Sequence, residues 1–453
     1  MIRFFKSVSL IVLASLPFSL MAQTALNDYI QYGIENNLTL KQKVTSCEKS
    51  LYALKEAKGL FYPNVSLNAR YSVAQGGRSI DFPIGDLLNP VYNTLNALTA
   101  SNNFSLVENQ QVMFLRPYEH ETKIRIVQPI FNPDIKYNSL IKGELVSFEV
   151  IDVEQYKREL VAEIKKSYYN VLMSESLISM LKNTRKLLEE NVRLNRKLVE
   201  NDKLTIDNLY RSETELSKFE QEMQKAEKAG ITSKAYFNFL LNRAFPDSIV
   251  IEQITTFPAI SDISSDYSQM ALSNREELKK LEAFEKITDL QIKMNQSNVY
   301  PDLLFVADVG YQGMTYKFNK DYDYAQASAV LSWSIFEGYR NKYKIKQSLL
   351  QKEMVESQLE ASKKQIELQV INALQELLSS EKGIIAAEAR LKSAREVFRL
   401  VNRKYEEGQA YLIEFIDART SLTQAEENLI ISKYKYLSDF AEFEKITTTN
   451  IPL

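Results

Sequence analysis

The chain of 453 residues has few of the residues that end helices and strands, with only 12 glycines and 11 prolines. These two residues usually punctuate compact folds, so the sequence predicts few and long elements. It has one cysteine, Cys47, which excludes an intrachain disulfide. We interpret Cys47 as a small residue on a helix face.

The sequence also lacks the residues that most catalytic sites need. Its one histidine, His120, precedes a predicted strand and is expected in a loop. A single histidine cannot supply the cluster used for metal binding. There is no G-x-S-x-G motif, no phosphate-binding glycine loop and no cysteine nucleophile with a partner. We therefore expect no enzyme, no metal and no cofactor.

The net charge and the hydropathy pattern bear on the partners and the location of the protein. A formal net charge of −2 lacks the basic excess typical of nucleic-acid-binding proteins, so no nucleic-acid partner is expected. Arg3 and Lys6 precede an apolar run that ends near Ala22, which predicts a secretory signal peptide over residues 1–22. After it, no run of about 18 apolar residues follows, so any membrane-spanning segment is predicted to be a strand.

Two long segments, residues 144–229 and 341–382, contain neither glycine nor proline and are predicted to be helical. Apolar residues recur there with alternating spacings of four and three, as at Ile366, Val370, Ala373 and Leu377. This spacing buries one seam of a helix against its neighbours, as in a coiled coil. A helix of about 70 residues would reach on the order of 100 Å. The fold class predicted is mainly α, with long antiparallel coiled-coil helices.

The chain repeats itself. G-I-E-N-N-L-T-L-K at residues 33–41 parallels A-L-S-N-R-E-E-L-K at 271–279, a shift of 238 positions (271 − 33), which also relates Tyr62 to Tyr300. I-F-N-P at 130–133 parallels I-F-E-G at 335–338, a shift of 205. Two structural repeats are therefore predicted, residues 23–238 and 239–453, each with a helix, a strand, a loop, a strand and long helices.

The difference of 33 residues (238 − 205) is an insertion in the first repeat. It falls in residues 75–117, which are rich in glycine, proline and asparagine and are predicted to be a long surface loop. The matching loop of the second repeat is short.

Four segments alternate apolar and polar residues, at 64–73, about 121–128, 302–311 and 325–336. In the first, Val65, Leu67 and Ala69 share one face and Asn68 and Arg70 share the other. An ordinary antiparallel sheet packed on helices has this period, and so does a strand that crosses a bilayer.

Open sheet edges cannot face lipid, so membrane strands must close into a barrel of at least about eight. One chain supplies four, and such a barrel would be shared between copies. Its lumen would be lined by Asn68 and Arg70.

These segments resemble the TolC-like outer-membrane efflux family. The resemblance rests on the duplicated N-N-L-T-L and N-R-E-E-L segments, on Y-P-N-V-S-L and Y-P-D-L-L-F opening strands, and on Q-P-I-F-N-P and W-S-I-F-E-G-Y-R closing them. A further motif late in the chain is Y-E-E-G-Q-A-Y-L-I-E-F-I-D-A-R. Together the motifs extend from about Ala25 to Tyr436.

The resemblance implies a homotrimer in the outer membrane of a Gram-negative bacterium, with its helices extending into the periplasm. Three copies of four strands would form one 12-stranded β-barrel, and the helices a trimeric α-barrel. The implied partners are a periplasmic adaptor (membrane fusion) protein, an inner-membrane pump and outer-membrane lipid. The implied function is passive conduction in tripartite efflux or type I secretion.

The resemblance also implies a periplasmic gate. Glu414 and Asp417 fall where acidic rings are expected, and Asp207 and Tyr405 fall on lock positions. Where the family's tip arginine is expected this chain has Ala410, and Lys203 is the candidate substitute.

The alternative function is a soluble periplasmic coiled-coil scaffold. In such a protein the apolar face of the sheet would cover the helices, and the polar face would be turned outward.

Overall fold

The structure, a computed structural model, describes residues 25–252, 254, 257–259 and 266–449. The predicted signal peptide lies outside these residues. The first part of the chain contains α1 (Ala25–Asn36), α2 (Leu38–Gly59), β1 (Asn64–Val73), β2 (Ser79–Phe82), α3 (Ile84–Thr99), β3 (Gln110–Met113), β4 (Tyr118–Phe131), α4 (Pro133–Glu200) and α5 (Ile206–Leu240). The second contains α6 (Tyr267–Asn274), α7 (Glu276–Ser297), β5 (Asp302–Gly313), β6 (Asp323–Ser332), α8 (Arg340–Glu406) and α9 (Leu412–Thr447).

The chain divides into two compact units. The helical unit comprises the described residues up to 48, those in 147–283 and those from 355 onward. The sheet unit comprises residues 49–146 and 284–354. The four predicted strands and the long helices are present, but the segment 144–229, predicted to be helical throughout, is interrupted by a turn between α4 and α5.

The main sheet is antiparallel, with the strand order β1-β4-β5-β6. Leu67 pairs with Ile124, Ile124 with Val309 and Val309 with Ala325, so one row of apolar residues crosses all four strands. The last strand ends at Ser332 instead of near residue 336. Ser332 pairs with Asp302, the first residue of β5, so the residues that follow have no partner on that side.

The insertion, predicted to be a loop, is structured. It contains the hairpin β2–β3 and helix α3, whose Asn89 and Asn96 lie seven residues apart on one face. Asn89 donates to the carbonyl of Val107 at 2.9 Å and accepts from its N–H at 2.8 Å. Asn96 makes the same pair of bonds to Phe104, at 2.8 and 3.1 Å. The asparagines that suggested a loop satisfy backbone groups of an extended segment.

His120 lies within β4 and not in a loop, so that prediction was wrong. Its ring is fully buried, stacks on Tyr316 with centroids 4.2 Å apart, and places Nε2 2.7 Å from the carbonyl oxygen of Thr315. The carbonyl can only accept, so Nε2 carries the proton. The segment after β5 folds over the strand and covers this ring.

The described helical unit has two large apolar cores and a smaller one around Leu188 of α4 and Phe219 of α5. In one large core, Ile164 and Tyr168 of α4 pack with Phe237 of α5. In the other, the predicted seam residues Ile366, Val370 and Leu377 of α8 pack with α9. The coiled-coil seam predicted for this stretch is confirmed.

Charged contacts reinforce the first core. Asp152 of α4 accepts hydrogen bonds from Lys43 at 2.6 Å and from Lys280 at 2.5 Å. Burial raises the pKa of Asp152, but these two ammonium groups outweigh it and hold the pKa below its ordinary value. The carboxylate therefore stabilises the fold when it is ionised.

Replacing this carboxylate with an amide should destabilise the protein in a pH-dependent way. Asp152→Asn leaves two ammonium groups without a counter-charge, so we expect the free energy of unfolding at pH 7 to fall by about 1–3 kcal/mol. The difference from wild type should persist above about pH 4, the ordinary pKa of an aspartate, and vanish as the pH falls through the lower folded-state pKa.

Denaturation followed by circular dichroism at several pH values measures this difference. The control is Asp28→Asn, at an exposed position, which should change the free energy by no more than about 0.5 kcal/mol. A pH-independent loss would contradict the role assigned to the carboxylate.

Candidate functional site

One face of the main sheet is mostly apolar, and it is open except near Tyr71, where Tyr316 stacks on Tyr71 and His120. It carries Val65, Leu67, Ala69, Tyr71 and Val73 of β1, Ile124 and Ile126 of β4, Phe305, Ala307 and Val309 of β5, and Ala325, Ala327, Ala329 and Leu331 of β6. Leu67 is 73% exposed and Leu331 61%. Soluble proteins rarely expose a contiguous apolar patch of this extent.

The opposite face carries a charged network across the strands. Arg70 lies 3.8 Å from Glu121, which lies 2.7 Å from Lys123. Lys123 lies 3.3 Å from Asp308, and Arg125 donates two hydrogen bonds to Asp308, at 2.8 and 2.7 Å. Asp308 is only 6% exposed. Glu121, Lys123 and Asp308 are sheltered, whereas the side chains of Arg70 and Arg125 are 62% and 42% exposed.

The predicted lumen residues Asn68 and Arg70 both lie on this charged face. Asn68 donates to Ser66 at 3.1 Å, and Arg70 belongs to the network. Sequence reasoning did not single out the rest of the network. A signal was present, because β4 places charges at every second position, on Glu121, Lys123 and Arg125.

A second candidate site lies at the two turns that join the long helices, residues 201–205 and 407–411. Both turns are closed by a backbone hydrogen bond between residues five positions apart. The N–H of Lys203 donates to the carbonyl of Leu198 at 2.9 Å, and the N–H of Gln409 donates to the carbonyl of Lys404 at 2.7 Å. Each has one left-handed residue, Asp202 with φ 61° and Gly408 with φ 72°. This is the Schellman arrangement of a helix end. We call these two turns the tip.

The predicted acidic residues lie just after the turns. Asp207 and Glu414 are in the first turns of α5 and α9, where a carboxylate stabilises the helix dipole. Asp207 lies 3.9 Å from Arg211 of its own helix. Glu414 and Asp417 are exposed, and within the described chain neither side chain has a hydrogen bond or ion pair.

Tyr405 lies at the end of α8 and bonds to α4. Its hydroxyl donates to Oδ1 of the fully buried Asn195 at 2.6 Å, and its ring stacks on Phe415 with centroids 4.9 Å apart. Burial raises the pKa of Tyr405. The bonding partners of Tyr405 and Asp207 differ, so the structure does not pair the two predicted lock residues.

Beside the tip, α9 carries a buried cation that sequence reasoning missed. Arg419 of α9 is 6% exposed, lies 3.7 Å from Glu215 of α5, and has its guanidinium 5.9 Å from the centre of the Phe219 ring. Burial lowers the pKa of Arg419, and Glu215 opposes this. Its position seven residues after the buried Leu412, on the same face of α9, was the available signal.

Lys203, the candidate substitute for the expected tip arginine, is exposed, and Ala410 is half-buried. The buried arginine nearest to this turn is therefore Arg419, which lies on α9 and not in the turn itself.

In the part of the chain that the structure describes, no three histidine, cysteine, aspartate or glutamate side chains could hold a metal ion together. None of the described helices combines the length and the hydropathy needed to cross a bilayer.

Comparisons with known proteins agree on one family. Residues 267–448 match the family described as "Outer membrane efflux protein". Among solved structures, the fold is similar to the outer membrane protein VceC of Vibrio cholerae (TM-score 0.74, 13% identity, 93% of this chain and 95% of that chain covered). It is also similar to the open-state outer membrane channel MtrE of Neisseria gonorrhoeae (TM-score 0.74, 16% identity, 93% of this chain and 88% of that chain covered).

The fold is similar as well to a membrane protein from Pseudomonas aeruginosa (TM-score 0.78, 13% identity, 94% of this chain and 93% of that chain covered). No curated protein sequence matches. At these identities the likeness to solved structures shows the fold.

The hydroxyl of Tyr405 should stabilise the tip. Tyr405→Phe keeps the ring on Phe415 but leaves the buried Oδ1 of Asn195 without its donor, so we expect a loss of about 1–3 kcal/mol in the free energy of unfolding. Hydrogen exchange of the ends of α4 and α8 should rise as well. Tyr411→Phe, at a side chain 79% exposed, is the control. Equal effects of the two substitutions would contradict the assignment.

Proposed function

We propose that this chain, which belongs to the TolC-like outer-membrane efflux family by residues 267–448 and by its fold, is the outer-membrane channel component of a tripartite efflux or type I secretion system. The family consists of passive channels, and the chain is not an enzyme. The observation that carries the proposal is the sheet, which exposes large apolar side chains on one face and pairs its charges in a network on the other.

Lipid suits the apolar face and a water-filled lumen suits the charged one. Lipid-facing and lumen-facing residues alternate in a transmembrane strand, and apolar and polar residues alternate throughout β1 and over most of β6. The ion pairs need water or each other, because an unpaired charge is costly to bury. Asn68 and Arg70 are therefore proposed to line the lumen.

The sheet edges support assembly from several copies. In the described sheet, β1 and β6 each pair on one side only. They are antiparallel to each other, so β6 of one copy and β1 of the next can continue the alternation. Lipid-exposed strands cannot leave edges open. Three copies would give a 12-stranded barrel, in a homotrimer whose helices form the α-barrel.

Matching elements support the two proposed repeats, residues 23–238 and 239–453. Helices α2 and α7 both have 22 residues and begin 238 positions apart (276 − 38). Asn37, at the start of α2, donates to the carbonyl of Leu240 at 2.9 Å. Arg275 lies 238 positions after Asn37 and donates to the carbonyl of Ile446 at 3.5 Å. Ile446 lies 206 positions after Leu240, so the two hydrogen bonds match.

The proposed location is the outer membrane of a Gram-negative bacterium, with the helices in the periplasm. The proposed partners are a periplasmic adaptor and an inner-membrane pump, which would supply the energy that a passive channel lacks. Asp207, Tyr405, Glu414 and Asp417 are proposed to form the periplasmic gate.

The alternative, a soluble periplasmic scaffold, is disfavoured by the same sheet. It requires the apolar face to be covered, and in the described chain that face is mostly open. Osmotic shock discriminates, since a scaffold would be released without detergent.

Electron microscopy of the detergent-extracted particle tests the proposal. A threefold tube with one detergent-coated end is the expected result. A monomeric or dimeric rod that needs no detergent would overturn the membrane assignment.

Charge placed on the two sheet faces should have opposite consequences. Ala327 and Ser328 are neighbours in the middle of β6 and lie on the apolar and the charged face. Ala327→Arg should block assembly, at a cost of about 2–4 kcal/mol near the membrane midplane, and so should Leu67→Arg. Ser328→Arg should assemble normally. Trimer yield after membrane extraction is the measurement, and equal tolerance of both faces would refute the barrel.

Removing the proposed acidic rings should alter ion selectivity. Three carboxylates that converge on an axis attract cations. Trimers carrying Glu414→Ala and Asp417→Ala should therefore lose cation selectivity and block by multivalent cations in single-channel recordings. Glu360→Ala, at an exposed position on α8, is the control. Unchanged selectivity would remove these two residues from the gate.

A further inference from the structure

We propose that helix α3 of the insertion packs against the same helix of the other two copies in the proposed trimer, and that the three form a bundle at the outer mouth of the channel. The contact surface is an apolar seam along α3, formed by Ile84, Leu88, Val91, Leu95 and Leu98. The proposal rests on the proposed function, because it requires three copies around one axis. It assigns a role to a segment of the first repeat that the second repeat lacks.

The seam of α3 is largely open to solvent in the single chain. Leu98 is 78% exposed, Val91 52% and Leu88 37%. Its residues follow one another at spacings of four, three, four and three, which is the pattern that packs one helix into a partner helix of the same pattern. Two heptads are too few for a stable coiled coil between free molecules, so the partner helix has to be held nearby.

The seam residues favour a bundle of more than two helices. Leu88 and Leu95 occupy a positions of the heptad, and the β-branched Ile84 and Val91 occupy d positions. In parallel coiled coils, leucine at a with isoleucine at d shifts the preference from dimers to trimers and tetramers. Helices related by a threefold axis run parallel to one another. Asp86 is the only charged residue of α3 and lies about 160° around the helix from the seam, so no like charges meet in the bundle.

A second face of α3 fixes the helix within its own insertion. Asn89 and Asn96 bind the backbone of Val107 and Phe104. Gly85 lies on the same face, where a Cβ would approach the carbonyl oxygen of Val107 to 2.3 Å, so this close contact requires glycine. That face lies about 120° around the helix from the seam. The insertion therefore holds α3 in place and leaves the seam free for a neighbouring copy.

The insertion begins where two copies are proposed to meet. It joins the ends of β1 and β4 that lie opposite the ends to which α2 and α4 attach. Thr122 of β4 pairs with Tyr311 of β5. The repeat shifts of 205 and 238 carry this pair to Ala327 (122 + 205) of β6 and Val73 (311 − 238) of β1, which we expect to pair between neighbouring copies. Val73 ends β1, so the insertion leaves the barrel directly beside the next copy.

The shared barrel supplies the proximity that the short seam needs. Modules that are joined by short connections meet at an effective concentration of about the millimolar range. Residues 74–83 and 100–117 connect α3 to the strands, so the three helices of one trimer are held together at the same end of the barrel. A bundle on the axis would cover the outer mouth and restrict conduction.

Disulfide cross-linking between copies tests the bundle. Leu98→Cys, in a Cys47→Ser background, places a thiol at a d position, and the exposed side chain of Leu98 can be replaced without disturbing the single chain. Symmetry-related d positions approach one another on the axis, where a disulfide needs Cα atoms about 4.4–6.8 Å apart. Mild oxidation of the detergent-purified trimer should give a covalent dimer, with one chain of each trimer left unlinked. Asn93→Cys, on the opposite face of α3, should give none.

A charge in the seam should separate the three helices. Val91→Asp would bring three carboxylates together on the axis, so the covalent dimer of Leu98→Cys should be lost while the trimer stays intact. Single channels of this variant should also show a higher conductance, because the bundle no longer covers the mouth. Asn93→Asp adds the same charge two residues away on the opposite face, and it should change neither the cross-link nor the conductance.

The possible results separate the bundle from the proposed function. An intact trimer in which Leu98→Cys forms no more covalent dimer than Asn93→Cys overturns the bundle alone. Shielding of Leu98→Cys from a water-soluble maleimide in proteoliposomes but not in detergent, without a covalent dimer, also overturns it, because the outer leaflet then covers the seam. A covalent dimer in a trimer that conducts no ions overturns the proposed function alone, and a monomeric particle overturns both.

Discussion

The unpaired backbone groups along β1 and β6 are the constraint on which the rest of the structure depends. A four-stranded sheet with an open apolar face is unstable in water, and its edges are unstable in lipid. Both problems are solved together if several copies join edge to edge. Such an arrangement would place the charged network on an inner face, where the charges neutralise one another. It would also explain why one chain devotes so few residues to strands.

The sequence predicted the elements well because their patterns are local. Alternation located all four strands of the main sheet, and the scarcity of glycine and proline indicated the long helices. The errors arose where composition and tertiary context disagree. Asn89 and Asn96 suggested a loop, but a helix uses them to bind the backbone of a neighbouring segment. His120 was placed in a loop because nothing local shows that Tyr316, almost 200 residues later, covers it.

The candidate sites were only partly predictable, because their contacts join residues far apart in the chain. Arg125 and Asp308 are separated by 183 positions and Tyr405 and Asn195 by 210. The family resemblance supplied Tyr405 but not its partner. Arg419 could be suspected only from a basic residue at a position with helical spacing for burial, a weak signal without the structure. In the two tip turns, different residue types give the same local geometry, since Asp202 and Gly408 are both left-handed.

The types of contact along the helical unit differ in a way that suits a channel closed at one end. Large apolar cores around Tyr168 and around Leu377 hold the helices together away from the tip. Beside the tip, the contacts between the two helix pairs include polar ones, the bond from Tyr405 to Asn195 and the ion pair of Arg419 with Glu215. Apolar burial is lost in proportion to the area exposed, whereas a polar contact can be exchanged for water at small net cost. The helices beside the tip are therefore held by polar contacts as well as by the smaller apolar core around Leu188 and Phe219.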